Sequence, residues 1–423
     1  MTQIVPSKLR SLTAQEEIYW LLNWNSPIHP VLAAHVAGPT TPDQWRAALD
    51  ALQKRHPFLS LSIEAPTPDR TGGSRPFFQQ HVGAPIPLRV LPLGSVSRWE
   101  AEVERELATP FSPGQAPLLR AVLLYEPDCS ILLLAGCHSI ADGTTFTLLF
   151  RDLLTAMAGE ALEPLPFPRS AEELLGVEPV VREQTLEAED LSSAPENRAG
   201  APTVSSLQFS HALTQALVSL CRKQGVTVHG ALAASLVFAA RQQAPEFLHK
   251  PVRFISPINT RELLGAKDEC GLYFTSPQAS FDAKEALSFW EIARSVRQGV
   301  VEASTREAIV AVTNAMQGMI ASGLTRRGAA DMLQGAFAED ILLSNLGRTR
   351  FDTHFGPLHL ESLWGPAVLA GLPEIQTVGV ATTNDSLCLL LTSYEPIPRL
   401  LETVETIVSA VCAEAFSESD ISQ

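Results

Sequence analysis

The residues best suited to chemistry lie in one short segment, Cys137-His138-Ser139-Ile140-Ala141-Asp142-Gly143, reached through the apolar run from Leu132 to Gly136. A histidine with a pKa near neutrality can take a proton from an alcohol or amine and return it to a leaving group. At the end of a buried strand its imidazole is held more firmly than on a mobile loop. Asp142 and Gly143 follow where a helix should begin, and a glycine there lets backbone approach closely. The bare His, Asp and Gly spacing arises by chance in about one chain in twenty of this length. It therefore stands beside a plainer alternative, a core histidine hydrogen-bonded to backbone. Cys137 does not form a nucleophile pair with His138, because neighbours in an extended strand point to opposite faces.

The signatures of nucleotide loops, zinc proteases and serine-hydrolase elbows are missing. The strand delivering His138 is expected from Ser130 to Cys137, paired with Leu119 to Tyr125 across the turn formers Pro127 and Asp128. A helix from Thr145 to Met157 should follow. Upstream, Thr41, Pro42 and Gln44 read as an N-cap, an N1 proline and the far side of a capping box. Trp45, Leu49 and Leu52 give that helix an apolar face, Lys54 and Arg55 suit its last turn, and Pro57 stops it. Phe58 to Ile63 is expected as a short strand and Arg98 to Ala108 as an amphipathic helix. After Leu207 the pattern predicts helices over Thr214 to Lys223, Gly230 to Gln243 and Glu285 to Glu302. It predicts strands over Val252 to Ile258, Ile341 to Ser344 and Ser386 to Tyr394. The last element is a helix with Leu401, Val404, Val408, Val411 and Ala415 on one side. Strands and helices alternate throughout, so the class is α/β or α+β.

At 423 residues and 45% hydrophobic content, the chain is long enough for two domains and apolar enough for a substantial core. Residues 160–204 break the pattern with Pro, Glu and Ser and more acids than bases, reading as a crossover linker with a short helix around Ala171 to Leu175. The domains expected are thus residues 1–160 and 205–423, joined by 161–204. A net charge of −15 argues against a nucleic-acid binder, which needs a surplus of cations on one face. Small anionic ligands respond instead to local clusters, of which Arg222-Lys223, Arg294 with Arg297, Arg326-Arg327 and Arg348 with Arg350 are candidates. For any single cluster the alternative is a solvated helix face. Six scattered cysteines without a CxxC pair suggest neither a disulfide framework nor a zinc site. No apolar run approaches a membrane span and no leader is visible, so a cytoplasmic protein is expected.

The motif segment resembles the HHxxxDG element of the acyltransferase superfamily that includes nonribosomal peptide condensation domains, plant-type alcohol acyltransferases and polyketide-associated acyltransferases. Other stretches share the likeness in order and spacing. They are Arg55-His-Pro-Phe-Leu59, Glu106-Leu-Ala-Thr-Pro-Phe111 with Ala116-Pro-Leu-Leu-Arg120, and Gly225-Val-Thr-Val-His229. Pro257-Ile-Asn-Thr-Arg261, Gly271-Leu-Tyr-Phe and Ser344-Asn345-Leu-Gly347 complete it. The resemblance implies two chloramphenicol-acetyltransferase-like domains forming a V, with a tunnel at their interface where a donor thioester and an acceptor meet. The second motif His, here His138, would be catalytic. The first is replaced by Cys137. Asp142 would be structural, paired with Arg261.

In the mechanism so implied, neutral His138 accepts the acceptor's proton as the nucleophile attacks a thioester carbonyl, and the imidazolium protonates the departing thiolate. Backbone at Gly143, with Ser344 and Asn345, would support substrate or oxyanion, although Asn345 reads equally as a strand-end turn residue. No resident cofactor or metal is expected. The donor would be acyl-CoA or a phosphopantetheinyl thioester on a carrier protein, and the acceptor a small alcohol. The absence of attached carrier or adenylation modules favours oxygen. An amine acceptor, thioester hydrolysis and a non-catalytic carrier-binding protein are the alternatives.

Overall fold

A computed structural model describes residues 8–24, 27–65, 75–81, 83–112, 114–182, 186, 200–335 and 339–420. Two six-stranded sheets carry the architecture. The first runs in the order His354–Phe355, Leu358–Ala367, Val31–Ala37, Cys129–Gly136, Leu119–Glu126 and Leu88–Pro92. The second runs Gln278–Phe281, Val252–Ile255, Ile341–Arg348, Gln376–Thr383, Ser386–Ser393 and Thr203–Gln208. Helices Pro42–Arg55 and Gly143–Met157 pack with the first sheet, and Val228–Gln243, Phe289–Ala303 and Leu400–Asp420 with the second. The mixed α/β class and its two-lobed arrangement agree with the sequence reading.

Local chemistry explains the elements that were foreseen. The Thr41 hydroxyl accepts from Gln44 N while the Gln44 side chain accepts from Thr41 N, closing the capping box ahead of Pro42–Arg55. Trp45, Leu49 and Leu52 are buried on its inner face. The hairpin Leu119–Glu126 and Cys129–Gly136 pairs in antiparallel register, with Val122 opposite Leu133. Helix Ala171–Leu175 lies within the anticipated linker, capped by Ser170 and closed by Gly176 in the left-handed region. Much of the rest of that linker, including 187–199, is outside the described residues.

Three expectations are corrected. Phe58 to Ile63 is not one strand: Pro57–Ser60 makes a 3-10 turn and only Leu61–Glu64 is extended, because proline sets φ for a helical turn. Val252 to Ile258 splits into Val252–Ile255 and Ile258–Asn259, since Pro257 has no N–H for the ladder. The helix expected from Glu285 starts at Phe289, where Ser288 and Glu291 form a capping box.

Several elements from beyond residue 205 cross to the first half. Strand Leu358–Ala367 lies in the first sheet against Val31–Ala37. Helices Arg306–Ala321 and Arg326–Gln334 pack on Ala14–Asn23, with Met316, Met319 and Met332 against the first core. The sheets meet where Gly379 faces Pro366. A Cβ at Gly379 would stand 2.2 Å from the Pro366 carbonyl oxygen, so that position has no room for a side chain.

Candidate functional site

Between the halves lies a cavity of about 1140 Å³ whose wall includes His138, Asp142, Gly143, Arg261, Ser344 and Asn345. Strand Cys129–Gly136 ends just before the motif, and helix Gly143–Met157 begins just after it. The turn between them presents its side chains in opposite directions. Cys137 is buried in the first core, and burial pushes its thiol pKa up. His138 faces the cavity.

His138 Nδ1 lies 3.0 Å from the Ala141 carbonyl oxygen. A carbonyl only accepts, so Nδ1 carries the proton and Nε2 is left with its lone pair. The ring packs between Tyr19, with centroids 4.4 Å apart, and Phe274 at 5.8 Å. Burial lowers the pKa of His138 and outweighs the opposing pull of the Asp142 charge, which keeps the imidazole neutral near pH 7. A positioned, neutral imidazole with a free Nε2 is what a general base requires.

Asp142 is committed elsewhere. It is the N-cap of Gly143–Met157, accepting from Thr145 N at 2.8 Å. Its other oxygen accepts from Arg261 Nη1 at 2.7 Å and from Tyr273 N at 3.0 Å. Although burial alone would raise its pKa, the Arg261 guanidinium and these donors hold it below the ordinary carboxylate value. Arg261 also donates to the Thr145 hydroxyl at 2.7 Å and stacks over the Tyr273 ring at 4.7 Å. Residues 119 positions apart are thus joined in one buried cluster across the two halves.

The remaining predicted residues take lesser places. A Cβ on Gly143 would come 2.7 Å from Leu346 Cδ2 and 3.5 Å from Pro366 Cγ, so this glycine lets the helix start close to the opposite wall. Asn345 Oδ1 accepts from Gly347 N at 2.8 Å, the turn-forming role weighed from sequence. It sits where the register with Gln376–Thr383 shifts. Of the four basic clusters only Arg348 with Arg350 reaches the cavity, and Arg348 is paired with Asp385 at 2.6 Å.

Sequence reasoning missed Tyr19, Phe274, Lys267, Glu339 and Gln278 on the cavity wall. It also missed what the Arg55-His56 pair does. Arg55 Nε and His56 Nε2 both reach Asp152 Oδ2, at 2.6 and 2.8 Å, and the Cys270 thiol lies 3.2 Å from His56 Nδ1. The likeness to Arg55-His-Pro-Phe-Leu59 was visible in the chain, but its partners lie about a hundred residues or more away. Among the described residues no group of three or more His, Cys, Asp or Glu could hold a metal ion, and no helix is long and apolar enough to cross a membrane.

The two-lobed fold, with His138 facing a cavity between the lobes, can be compared with known proteins. In fold the chain is similar to condensation domains and chloramphenicol-acetyltransferase-like acyltransferases. Residues 198–337 match the family described as phthiocerol/phthiodiolone dimycocerosyl transferase C-terminus. The phosphinothricin tripeptide synthetase of Streptomyces viridochromogenes is 27% identical over 335 residues, covering 70% of this chain and 29% of that protein. The chain spans less than a third of the length of the curated relatives it matches. The polyketide synthase associated protein 5 of Mycobacterium tuberculosis superposes with a TM-score of 0.67 at 16% identity, over 97% of this chain and all of that one. The trichothecene 15-O-acetyltransferase of Fusarium sporotrichioides does so with a TM-score of 0.67 at 13% identity, over 95% of each chain. At these identities the likeness to solved structures is one of fold.

Proposed function

We propose that this protein transfers an acyl group from a CoA or carrier-protein thioester to an acceptor hydroxyl, with His138 as general base. One observation carries the reading. His138 Nδ1 is tied to the Ala141 carbonyl, so Nε2 is the atom available to a reacting group in the cavity. Nε2 takes the hydroxyl proton as the oxygen attacks the thioester carbonyl carbon. The tetrahedral oxyanion collapses, the C–S bond breaks, and the imidazolium returns the proton to the thiolate. Such assistance contributes about 10²–10⁴ in rate, and the remainder comes from holding both substrates in line. In this reading Asp142 and Arg261 hold the two walls together and take no proton.

An oxygen acceptor is supported by the match to a dimycocerosyl transferase family and by the fold shared with an O-acetyltransferase. The peptide synthetase relative makes amine acceptors the natural comparison. The test is free-thiol release coupled to product mass spectrometry. Acyl-CoA and acyl-carrier donors are offered with alcohols and amines to wild type and His138→Ala. Acceptor-dependent turnover confined to wild type is expected. Equal turnover in both proteins overturns the assignment of His138, and silence in both despite carrier binding overturns catalysis.

A further inference from the structure

The cavity wall is not uniform in charge. Strand Ile341–Arg348 contributes Leu342 and Ser344 to it, and its eight residues span about 25 Å. Beyond one end stands Glu339, and beyond the other Arg350, both on the cavity wall. Arg350 forms no ion pair among the described residues, and neither does Lys267, another cation on this wall. Phosphate groups of a pantetheinyl donor would be drawn toward such cations and repelled by the Glu339 end.

Glu339 is an unusual residue to keep in such a place. It is 8% exposed, and its one side-chain donor is the Gln278 amide. Among the described residues it makes no ion pair. The neighbouring Asp340 instead takes the local cations, Arg253 at 3.1 Å and Lys250 at 3.7 Å. Burial pushes the pKa of Glu339 up, with Asp340 adding to this, and the Gln278 hydrogen bond and the Arg253 charge oppose it without cancelling it. A buried carboxylate without a counter-charge is costly, and a neutral amide offsets only part of the loss. Arg253 acts on Glu339 only at a distance, because its guanidinium is bonded to Asp340, so a bound cation could supply the direct partner that Glu339 lacks. The same cavity wall includes Tyr19, Met316, Met319 and Met332, and in an apolar lining a charge-assisted contact counts for more than in water.

We propose that Glu339, oriented by Gln278, is the acceptor-recognition point of the cavity, and that the acceptor carries a protonated amine in addition to the hydroxyl that is acylated. This rests on reading the cavity as an acyl-transfer site. The amine is a handle at the carboxylate, while the hydroxyl reaches His138. The other end of the strand is left to the anionic donor.

The experiment uses the full chain and a ladder of α,ω-amino alcohols of increasing length, each paired with the n-alkanol of the same length. Binding is followed by calorimetry in wild type, Glu339→Gln, Gln278→Leu and His138→Ala, with circular dichroism to establish folding. Acyl transfer from an acyl-CoA is measured beside it. One amino alcohol should bind wild type about tenfold or more tightly than its alkanol, the worth of a charge-assisted hydrogen bond. The preference should vanish in Glu339→Gln, weaken in Gln278→Leu and survive in His138→Ala. Equal binding of amine and alkanol by wild type, or a preference untouched by Glu339→Gln, overturns the proposal. Acyl transfer without amine preference leaves the proposed function standing and sinks this one. Amine preference without transfer to any acceptor does the reverse.

Discussion

Two histidine sites, His56 and His138, differ in what their nitrogen atoms have left to do. His56 has the more catalytic-looking company. Its Nε2 meets Asp152 at 2.8 Å and its Nδ1 meets the Cys270 thiol at 3.2 Å, the residue types of a nucleophilic triad. Yet all three are buried, none lines the cavity, and burial pushes the Cys270 thiol up to about 12. A thiol so far from its thiolate is inert. Asp152, for its part, is drawn down to about 2 by His56 and Arg151 against the effect of burial. Every atom there is committed to joining helix Pro42–Arg55, helix Gly143–Met157 and the loop carrying Gly271 and Tyr273. His138 has poorer company and one uncommitted nitrogen. The proposed role of His138 rests on the free atom and the space beside it, and the residue list alone does not show either.

The comparison can be broken first at its largest difference. His138→Ala should cut acyl transfer by about 10²–10⁴ while the melting temperature barely moves, because a cavity-facing ring is lost. A variant that keeps its turnover would place the base elsewhere. Next in size is the lock behind the motif. Arg261→Ala strands the Asp142 charge and should cost about 3–5 kcal/mol in urea unfolding, and Asp142→Asn, which keeps an oxygen cap but strands the Arg261 charge, should cost a comparable amount. A negligible loss in either variant would mean that the charge pair does not lock the two walls.

The sealed cluster should behave in the opposite sense to His138. His56→Ala should lower stability by about 1–3 kcal/mol, and Cys270→Ala should leave turnover per folded molecule unchanged. In native protein Cys270 should resist iodoacetamide and react only on unfolding, as peptide mapping would show. Rapid native labelling would contradict the burial that separates the two sites.

The smallest effect concerns a third histidine. His35 packs against Trp99 and Trp364, at 5.2 and 5.8 Å, and its buried Nε2 has no partner. Burial lowers its pKa to about 4 from an ordinary value of 6.5. The unfolded chain therefore takes up a proton where the folded one does not, so this contribution is present above about pH 6.5 and lost as pH falls toward 4. His35→Phe should flatten the acid limb of the stability profile over that window. A profile as steep as wild type would show that His35 does not contribute to it.

Much of the frame could be read from the chain because its causes are local. Thr41 with Gln44, and Ser170 with Gly176, start and stop helices through bonds made within a few residues. Leu132 to Leu134 announce a buried strand by composition, and the turn after them carries His138, Asp142 and Gly143 in an order that needs no tertiary information. Even the outward turn of His138 away from Cys137 follows from the alternation of an extended chain.

Other features depend on contacts between distant segments. That His56 has both nitrogen atoms engaged rests on Asp152 and Cys270, which are 96 and 214 residues away in the chain. That strand Leu358–Ala367 belongs to the first sheet is set by Val31–Ala37, more than 300 residues earlier. Glu339 makes no ion pair among the described residues, while Asp340 beside it takes Arg253 and Lys250. The sequence by itself determined which residue types stand at which turns, through propensity, capping and periodicity, whose reach is a few residues. Only the tertiary structure decided which atoms remain unsatisfied, because satisfaction of a buried polar atom depends on whatever the rest of the chain brings within 3 Å of it.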